Sequence, residues 1–225
     1  MKLAKPCLDV ALFTNQREAM LSFWQEQVGL PFEELLPTGG GNHQHRHGMN
    51  GSVLKLNHAR DPLPRSAVGG IRELWIAREG VRDVQQLTDP DGNRVALVPP
   101  GHRGVRGIGL RLAVRDPEAH TRFYREALGL SANSAGAFRC GESLLVLEAD
   151  ASAESDVALL GPGYRYLTLQ VFDCAAAHAN VLAGGGSEGA PPRRMGDIAR
   201  FSMVRDPDGN WLELSQRASL TGPLD

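Results

Sequence analysis

The sequence is poor in cysteine, in aromatic residues and in excess charge of one sign, and it has no long apolar run. Three scattered cysteines, Cys7, Cys140 and Cys174, cannot build a disulfide framework or a paired-cysteine zinc site, so we expect a reducing, cytoplasmic location. A net charge of -2 leaves no basic excess for phosphates and argues against a nucleic-acid partner. Without a long apolar run, we expect neither a membrane span nor a signal peptide.

Two stretches of the chain repeat at an offset of 100 residues. Residues 17–30 read REAMLSFWQEQVGL, and residues 117–130 read PEAHTRFYREALGL. Each has apolar positions at helical spacing and a Gly near its end, which is typical of a helix C-terminus. Each also follows an alternating run that predicts a strand. The chain therefore contains the same strand–helix unit at least twice.

A second repeat is the turn sequence DPDGN, at residues 89–93 and again at 206–210. Pro fixes its own φ and Gly accepts a positive φ, so this sequence predicts a tight turn before the apolar strand that follows. The two repeats divide the chain into four units, at 7–57, 70–98, 107–149 and 163–215. The first, third and fourth fit the order βαβββ, and the second is too short for its helix. We predict two domains, at residues 1–98 and 105–217.

These features together resemble the vicinal oxygen chelate superfamily, which includes glyoxalase I, extradiol dioxygenases and bleomycin-resistance proteins. The resemblance rests on the four βαβββ units, the helix ends VGL and LGL, and the final strand DPDGNWLEL. It implies an α+β fold in which modules pair into two U-shaped mixed sheets, with a degenerate second module. The sequence does not decide whether the first unit pairs with the second or with the fourth. Because this fold hosts many reactions, it implies a class of cavity rather than one activity.

The resemblance also implies that metal ligands lie on the first and last strands of a module. Glu213 keeps a carboxylate at such a position, whereas Ala96, Gly109 and Tyr166 depart from the dioxygenase pattern of two His and one Glu. In the first half, the same mapping gives Asp9 and Glu73, whose alternative role is a solvent-exposed acid on an edge strand. The candidate catalytic residues are Glu213, Tyr166 and Glu73.

Three histidines alternate within five residues, His43, His45 and His47. Residues two apart on a strand share a face, and two imidazoles there could hold one Fe, Mn, Zn, Co or Ni ion. The alternative is a polar loop that leads into the next strand. The predicted metal ligands are His45, His47, Asp9 and Glu213.

Three further polar residues in predicted strands are candidates for substrate binding. Lys55 and Asn57 alternate with leucines and could hold an anionic or carbonyl oxygen, although a polar strand face in water would give the same pattern. Arg111 could neutralise a substrate carboxylate.

Two functions are compatible with these residues. The first is a metal-dependent enzyme in which a divalent ion chelates two oxygens of a small molecule, for ring cleavage, isomerisation or lyase chemistry. The second is a metal-free binding protein of the bleomycin-resistance type, which the missing ligands favour. The histidine cluster has no evident structural role, so the sequence favours the enzyme, acting as a monomer or homodimer.

Overall fold

The computed structural model describes residues 1–133 and 136–224. The first unit contains β1 (Leu3–Thr14), α1 (Arg17–Ser22), β2 (Phe32–Gly39), β3 (Asn42–Met49) and β4 (Ser52–Ala59). The second contains β5 (Ile71–Ala77), β6 (Gln85–Thr88) and β7 (Arg94–Val98). The third contains β8 (Ile108–Val114), α2 (Pro117–Arg122), β9 (Ser131–Ala132), β10 (Phe138–Cys140) and β11 (Ser143–Ala149). The fourth contains β12 (Gly163–Val171), α3 (Cys174–Ala183), β13 (Ser187–Met195), β14 (Ala199–Arg205) and β15 (Trp211–Arg217), before α4 (Ala218–Thr221).

Short helical turns complete this pattern. A π-helical turn extends α1 at Phe23–Gln27, a second extends α2 at Phe123–Ala127, and a 3-10 turn, His102–Gly104, precedes β8. Within the two described ranges, no helix is both long enough and apolar enough to cross a membrane.

The strands form two mixed sheets. The first has the order β13-β14-β15-β12-β1-β4-β3-β2 and joins the first and fourth units. The second has the order β6-β7-β5-β8-β11-β10-β9 and joins the second and third units. The predicted α+β fold, with βαβββ units and a second unit that lacks its helix, is confirmed. Each sheet takes one unit from residues 1–98 and one unit from residues 105–217.

Local chemistry fixes the turns and helix starts. In the second DPDGN turn, the Asp206 carboxylate accepts the backbone N–H groups of Asp208 and Asn210 at 3.0 and 2.9 Å, and Gly209 has φ +80°. At the start of α2, the Asp116 carboxylate accepts two backbone N–H groups, which satisfies donors that the helix leaves free. The turn that the sequence predicts is therefore present.

Alternation along the strands separates two kinds of surface. On β1, Val10 and Leu12 face the main core, which both sheets and the helices build together, while Ala11 and Phe13 face the opposite side. Trp24 from the first helical segment is fully buried in that main core. On the first sheet, that opposite, concave side carries Phe13, Tyr166 and Met203 and borders a cavity.

Two linkers, residues 60–70 and residues 150–162, pack against the first sheet, and one buried arginine of β12 hydrogen-bonds to both. The Arg165 guanidinium donates to the carbonyl oxygens of Ala67, Gly161 and Pro162 at 2.9, 2.8 and 2.6 Å. The Trp211 indole N–H donates to the carbonyl of Val157 at 2.7 Å. These bonds hold the second linker over the concave face.

Candidate functional site

The concave face of the first sheet encloses a cavity of about 310 Å³, a size within the range of small-molecule sites. Its lining combines apolar and polar side chains. The apolar lining residues include Phe13, Leu36, Leu159, Leu160, Phe201 and Met203. The polar lining residues include Gln44, Arg46, Lys55, Asn57, Glu213 and Ser215.

Lys55 and Glu213 form an ion pair in this cavity. The Lys55 Nζ lies 2.6 Å from Glu213 Oε2 and 2.7 Å from the Thr168 hydroxyl, which itself donates to the same carboxylate oxygen at 2.8 Å. The register places Thr168 beside Glu213 and Lys55 beside Ala11, whose small side chain lets the lysine reach across β1. Burial lowers the pKa of Lys55, and the Glu213 carboxylate opposes that change.

Tyr166 and Asn57 line the cavity next to this pair. The Lys55 Nζ lies 5.5 Å from the centre of the Tyr166 ring, close enough for a cation–π contact. Burial raises the pKa of Tyr166, so its hydroxyl keeps its proton near neutral pH. The Asn57 amide donates to the Leu12 carbonyl and accepts from Gln44 at 2.9 Å, which fixes its orientation.

The histidine face of β3 points away from the cavity. His47 is fully buried on the side of the first helical segment, where its Nε2 lies 3.0 Å from Gln25 Nε2. Both His45 and His47 lie beside the Phe32 ring. Burial lowers the pKa of His47 to about 4, so it is neutral at pH 7. The structure therefore does not bring these histidines to Asp9 or Glu213.

Asp9 is buried, and its two oxygens are engaged within the protein. Oδ1 accepts from Lys5 at 2.7 Å and from the backbone N–H of Val53 at 2.9 Å, while Oδ2 accepts from Gln170 at 3.2 Å. These bonds give Asp9 a structural role that ties β1 to β4 and β12.

Glu73 and Arg111 lie on the concave face of the second sheet, outside this cavity. Arg111 donates to Glu73 at 2.6 Å and to both oxygens of Glu148 at 2.7 Å. Burial alone would raise the pKa of Glu73, but the hydrogen bonds from Arg111 and Trp75 and the positive charges of Arg111 and Arg94 together lower it overall. The arginine is thus engaged by two protein carboxylates.

The donor set does not fit a divalent metal. Glu213 already has a cation, the Lys55 ammonium, in contact with its carboxylate. Across residues 1–133 and 136–224, no group of three or more His, Cys, Asp or Glu side chains has an arrangement that could hold a metal ion.

Sequence reasoning missed several polar residues of the cavity, among them Gln44, Arg46 and Arg217, and it missed Thr168, which contacts the Lys55–Glu213 pair. A signal for the first two was present, because the alternation that puts the histidines of β3 on one face puts Gln44 and Arg46 on the other. Thr168 follows Tyr166 by two residues and shares its face. The role of Arg217 depends on contacts between distant strands, so no local pattern indicates it.

Comparison with known proteins relates the second half of the chain to a family model and most of the chain to one relative. Residues 108–214 match the family model "Glyoxalase/Bleomycin resistance protein/Dioxygenase superfamily". A Mycobacterium tuberculosis protein, "Putative glyoxylase CFP32", is 25% identical over 240 residues, which cover 89% of this chain and 90% of that protein.

Solved structures have the same fold. Glyoxalase I from Zea mays superposes with a TM-score of 0.73 at 16% identity, covering 93% of this chain and 92% of the maize chain. A Bacillus subtilis "putative dioxygenase" gives a TM-score of 0.69 at 10% identity, covering 96% of this chain and 85% of the other. The whole chain thus shares the fold of these solved structures, and its residues 108–214 match the glyoxalase, bleomycin-resistance and dioxygenase superfamily.

Proposed function

We propose that this chain binds a small organic molecule in the cavity of the first sheet without a metal ion. The observation that carries the proposal is the contact of 2.6 Å between Lys55 Nζ and Glu213 Oε2. In this family, the position of Glu213 is the one from which a last-strand carboxylate would reach a metal. Here an ammonium group neutralises that carboxylate.

Electrostatics favours this assignment over the metal-dependent enzyme that the resemblance implies. A divalent ion at Glu213 would stand beside the Lys55 ammonium, and two like charges in a buried site repel strongly. Lys55 would have to lose its proton or leave, and its side chain is only 4% exposed. A metal would also need further ligands, and neighbouring Thr168 and Tyr166 offer only neutral hydroxyl groups.

The mixed lining of the cavity supports a ligand that has both an apolar body and polar atoms. Phe13, Phe201 and Met203 offer apolar surface, and Gln44 offers an amide. All of these residues belong to one chain, so binding does not require a second copy. A reducing compartment is part of the same proposal, because the three cysteines are buried and unpaired.

A metal-free reaction is a second candidate, and one observation favours it. Burial lowers the pKa of Lys55, and a lysine of lowered pKa beside a carboxylate can exchange a proton with a bound molecule. In this scheme Lys55 would move the proton and Glu213 would hold the ammonium in place.

Metal analysis tests the proposal. Protein purified without chelator and without an immobilised-metal column should contain less than stoichiometric Fe, Mn, Zn, Co and Ni, and calorimetric titration with each ion should show no binding. The variant Glu213→Gln should give the same result. Stoichiometric metal in the wild type that is lost in Glu213→Gln would contradict the proposal and support the metal-dependent enzyme.

A further inference from the structure

The cavity wall carries an excess of positive charge, although the whole chain is slightly acidic. Four cationic side chains line it, Arg46, Lys55, Arg193 and Arg217, against the single carboxylate of Glu213. The net charge of the chain is -2. A concave site with positive charge raises the local concentration of negatively charged ligands, so this cavity favours an anionic molecule.

Two of these arginines share one carboxylate. Glu34 Oε2 lies 3.5 Å from Arg46 Nε and 3.5 Å from Arg217 Nη2. Arg46 stands opposite Glu34 in the register of β2 and β3, whereas Arg217 ends β15. The two guanidinium groups therefore meet from opposite arms of the first sheet.

The contacts of Glu34 with the two guanidinium groups are long. The Arg46 side chain is 8% exposed; burial, followed by repulsion from Arg217, lowers its pKa, and the carboxylates of Asp9, Glu34 and Glu213 oppose that change. Glu34 is 43% exposed, and both of its contacts are longer than a charge-assisted hydrogen bond of about 2.8 Å. A carboxylate that enters from the cavity could approach both guanidinium groups more closely and in the bidentate geometry that arginine favours.

We propose that Arg46 and Arg217 form a carboxylate clamp for an otherwise apolar ligand, and that Glu34 holds the clamp together until the ligand replaces it. The clamp rests on the proposed function, since it needs a ligand in the same cavity. It narrows the ligand class to small organic acids, with the acidic group at the arginines and the apolar body against Phe13, Phe201 and Met203.

The test compares a matched pair of probes, cinnamate and cinnamyl alcohol, by isothermal titration calorimetry. The pair shares one apolar body and differs in the carboxylate. We expect cinnamate to bind wild-type protein about tenfold more tightly than the alcohol, and the preference to shrink as salt increases.

Three variants test which groups cause the preference. Arg217→Gln should reduce the affinity for cinnamate about tenfold and leave the affinity for the alcohol unchanged, which also shows that the cavity is intact. Glu34→Gln should tighten cinnamate binding, because it removes the competing carboxylate. Arg60→Gln is the control, since it removes the same charge from an exposed arginine that pairs with Asp61, outside the cavity.

The outcomes separate the clamp from the proposed function. If the alcohol binds and cinnamate binds no more tightly, or if the preference survives Arg217→Gln, the clamp is wrong and the binding cavity stands. Weaker cinnamate binding in Glu34→Gln would also overturn the role of Glu34. If neither probe binds at millimolar concentration, both proposals fail.

Discussion

The concave faces of the two sheets are built from equivalent strands, but they carry different side chains. The strand pairings and the offset of 100 residues relate four positions of the first sheet to four of the second. Asp9, Lys55, Thr168 and Glu213 correspond to Gly109, Val146, Trp75 and Ala96. The polar centre of one face is thus apolar on the other.

Side chains occupy the centre of the second concave face. Trp75 and Val105 are buried there, packed against Gly109, with Ala137 and Leu144 beside them. The remaining charged residues, Glu73, Arg111 and Glu148, pair with one another at one side of that face. The backbone plan alone therefore does not make a site, because the residues at four equivalent positions decide whether the concave face encloses a cavity or a tryptophan.

The largest effect on stability is expected from removing Lys55, which lies on the concave face of the first sheet and corresponds to Val146 in the second. Lys55→Met leaves the Glu213 carboxylate buried without its partner, and breaking a buried pair in this way should lower the free energy of unfolding by about 3 kcal/mol. Urea denaturation at pH 7 measures the change.

The double variant Lys55→Met/Glu213→Gln is the control for that change. Because it removes both charges, it should recover about 1–2 kcal/mol relative to Lys55→Met alone. A Lys55→Met protein as stable as the wild type would mean that Glu213 does not depend on the ion pair.

A smaller effect is expected from crowding the second face. A Cβ atom at Gly109 would lie 2.7 Å from Val105 Cγ2 and 2.9 Å from Trp75 Cε3. Gly109→Ala should therefore cost about 2 kcal/mol of unfolding free energy, because the buried indole and valine must shift. Gly69→Ala is a matched control, since its new Cβ would come no closer than 3.8 Å to a neighbour. Equal stability of the two variants would show that the packing on the second face is loose.

The sequence predicts the strands and turns of both faces well, because their signals are local. Alternation along 8–14 and 109–116 marks the strands, and DPDGN marks two turns, wherever the units lie in space. The pairing of the first unit with the fourth is different. Either pairing uses the same strand patterns, so the choice depends on contacts between distant residues that no short window contains.

The site was harder to predict than the fold for the same reason. Alternation in HQHRH shows that the histidines share a face and that Gln44 and Arg46 share the other, but not which face is concave. Tyr166 and Thr168 also share a face, and only the register with β15 places Thr168 beside Glu213. Strand pairing therefore decides which residues reach the site. The sequence alone shows only which residues of a strand share a face.

The smallest effect concerns the helix-covered side, where one buried ring is an imidazole in the first sheet and a phenyl ring in the second. His47 pairs with Leu54 in the first sheet, and the corresponding residue of the second sheet, Phe138, pairs with Leu145. Burial lowers the pKa of His47 to about 4 from 6.5, so the folded state favours the neutral ring. This contribution to stability is present above pH 6.5 and is lost as the pH falls toward 4. We expect a loss of about 1 kcal/mol between pH 6.5 and pH 5.

Exchanging the two rings isolates this effect. His47→Phe should remove that part of the pH dependence, and Phe138→His should introduce a similar dependence in the second sheet, both measured by urea denaturation at several pH values. A His47→Phe protein that loses stability on acidification as steeply as the wild type would assign the dependence to other groups. If His47→Phe becomes less sensitive to acid and Phe138→His becomes more sensitive, a buried ring of either kind serves the core at neutral pH. The acid sensitivity that is exchanged then comes from the imidazole.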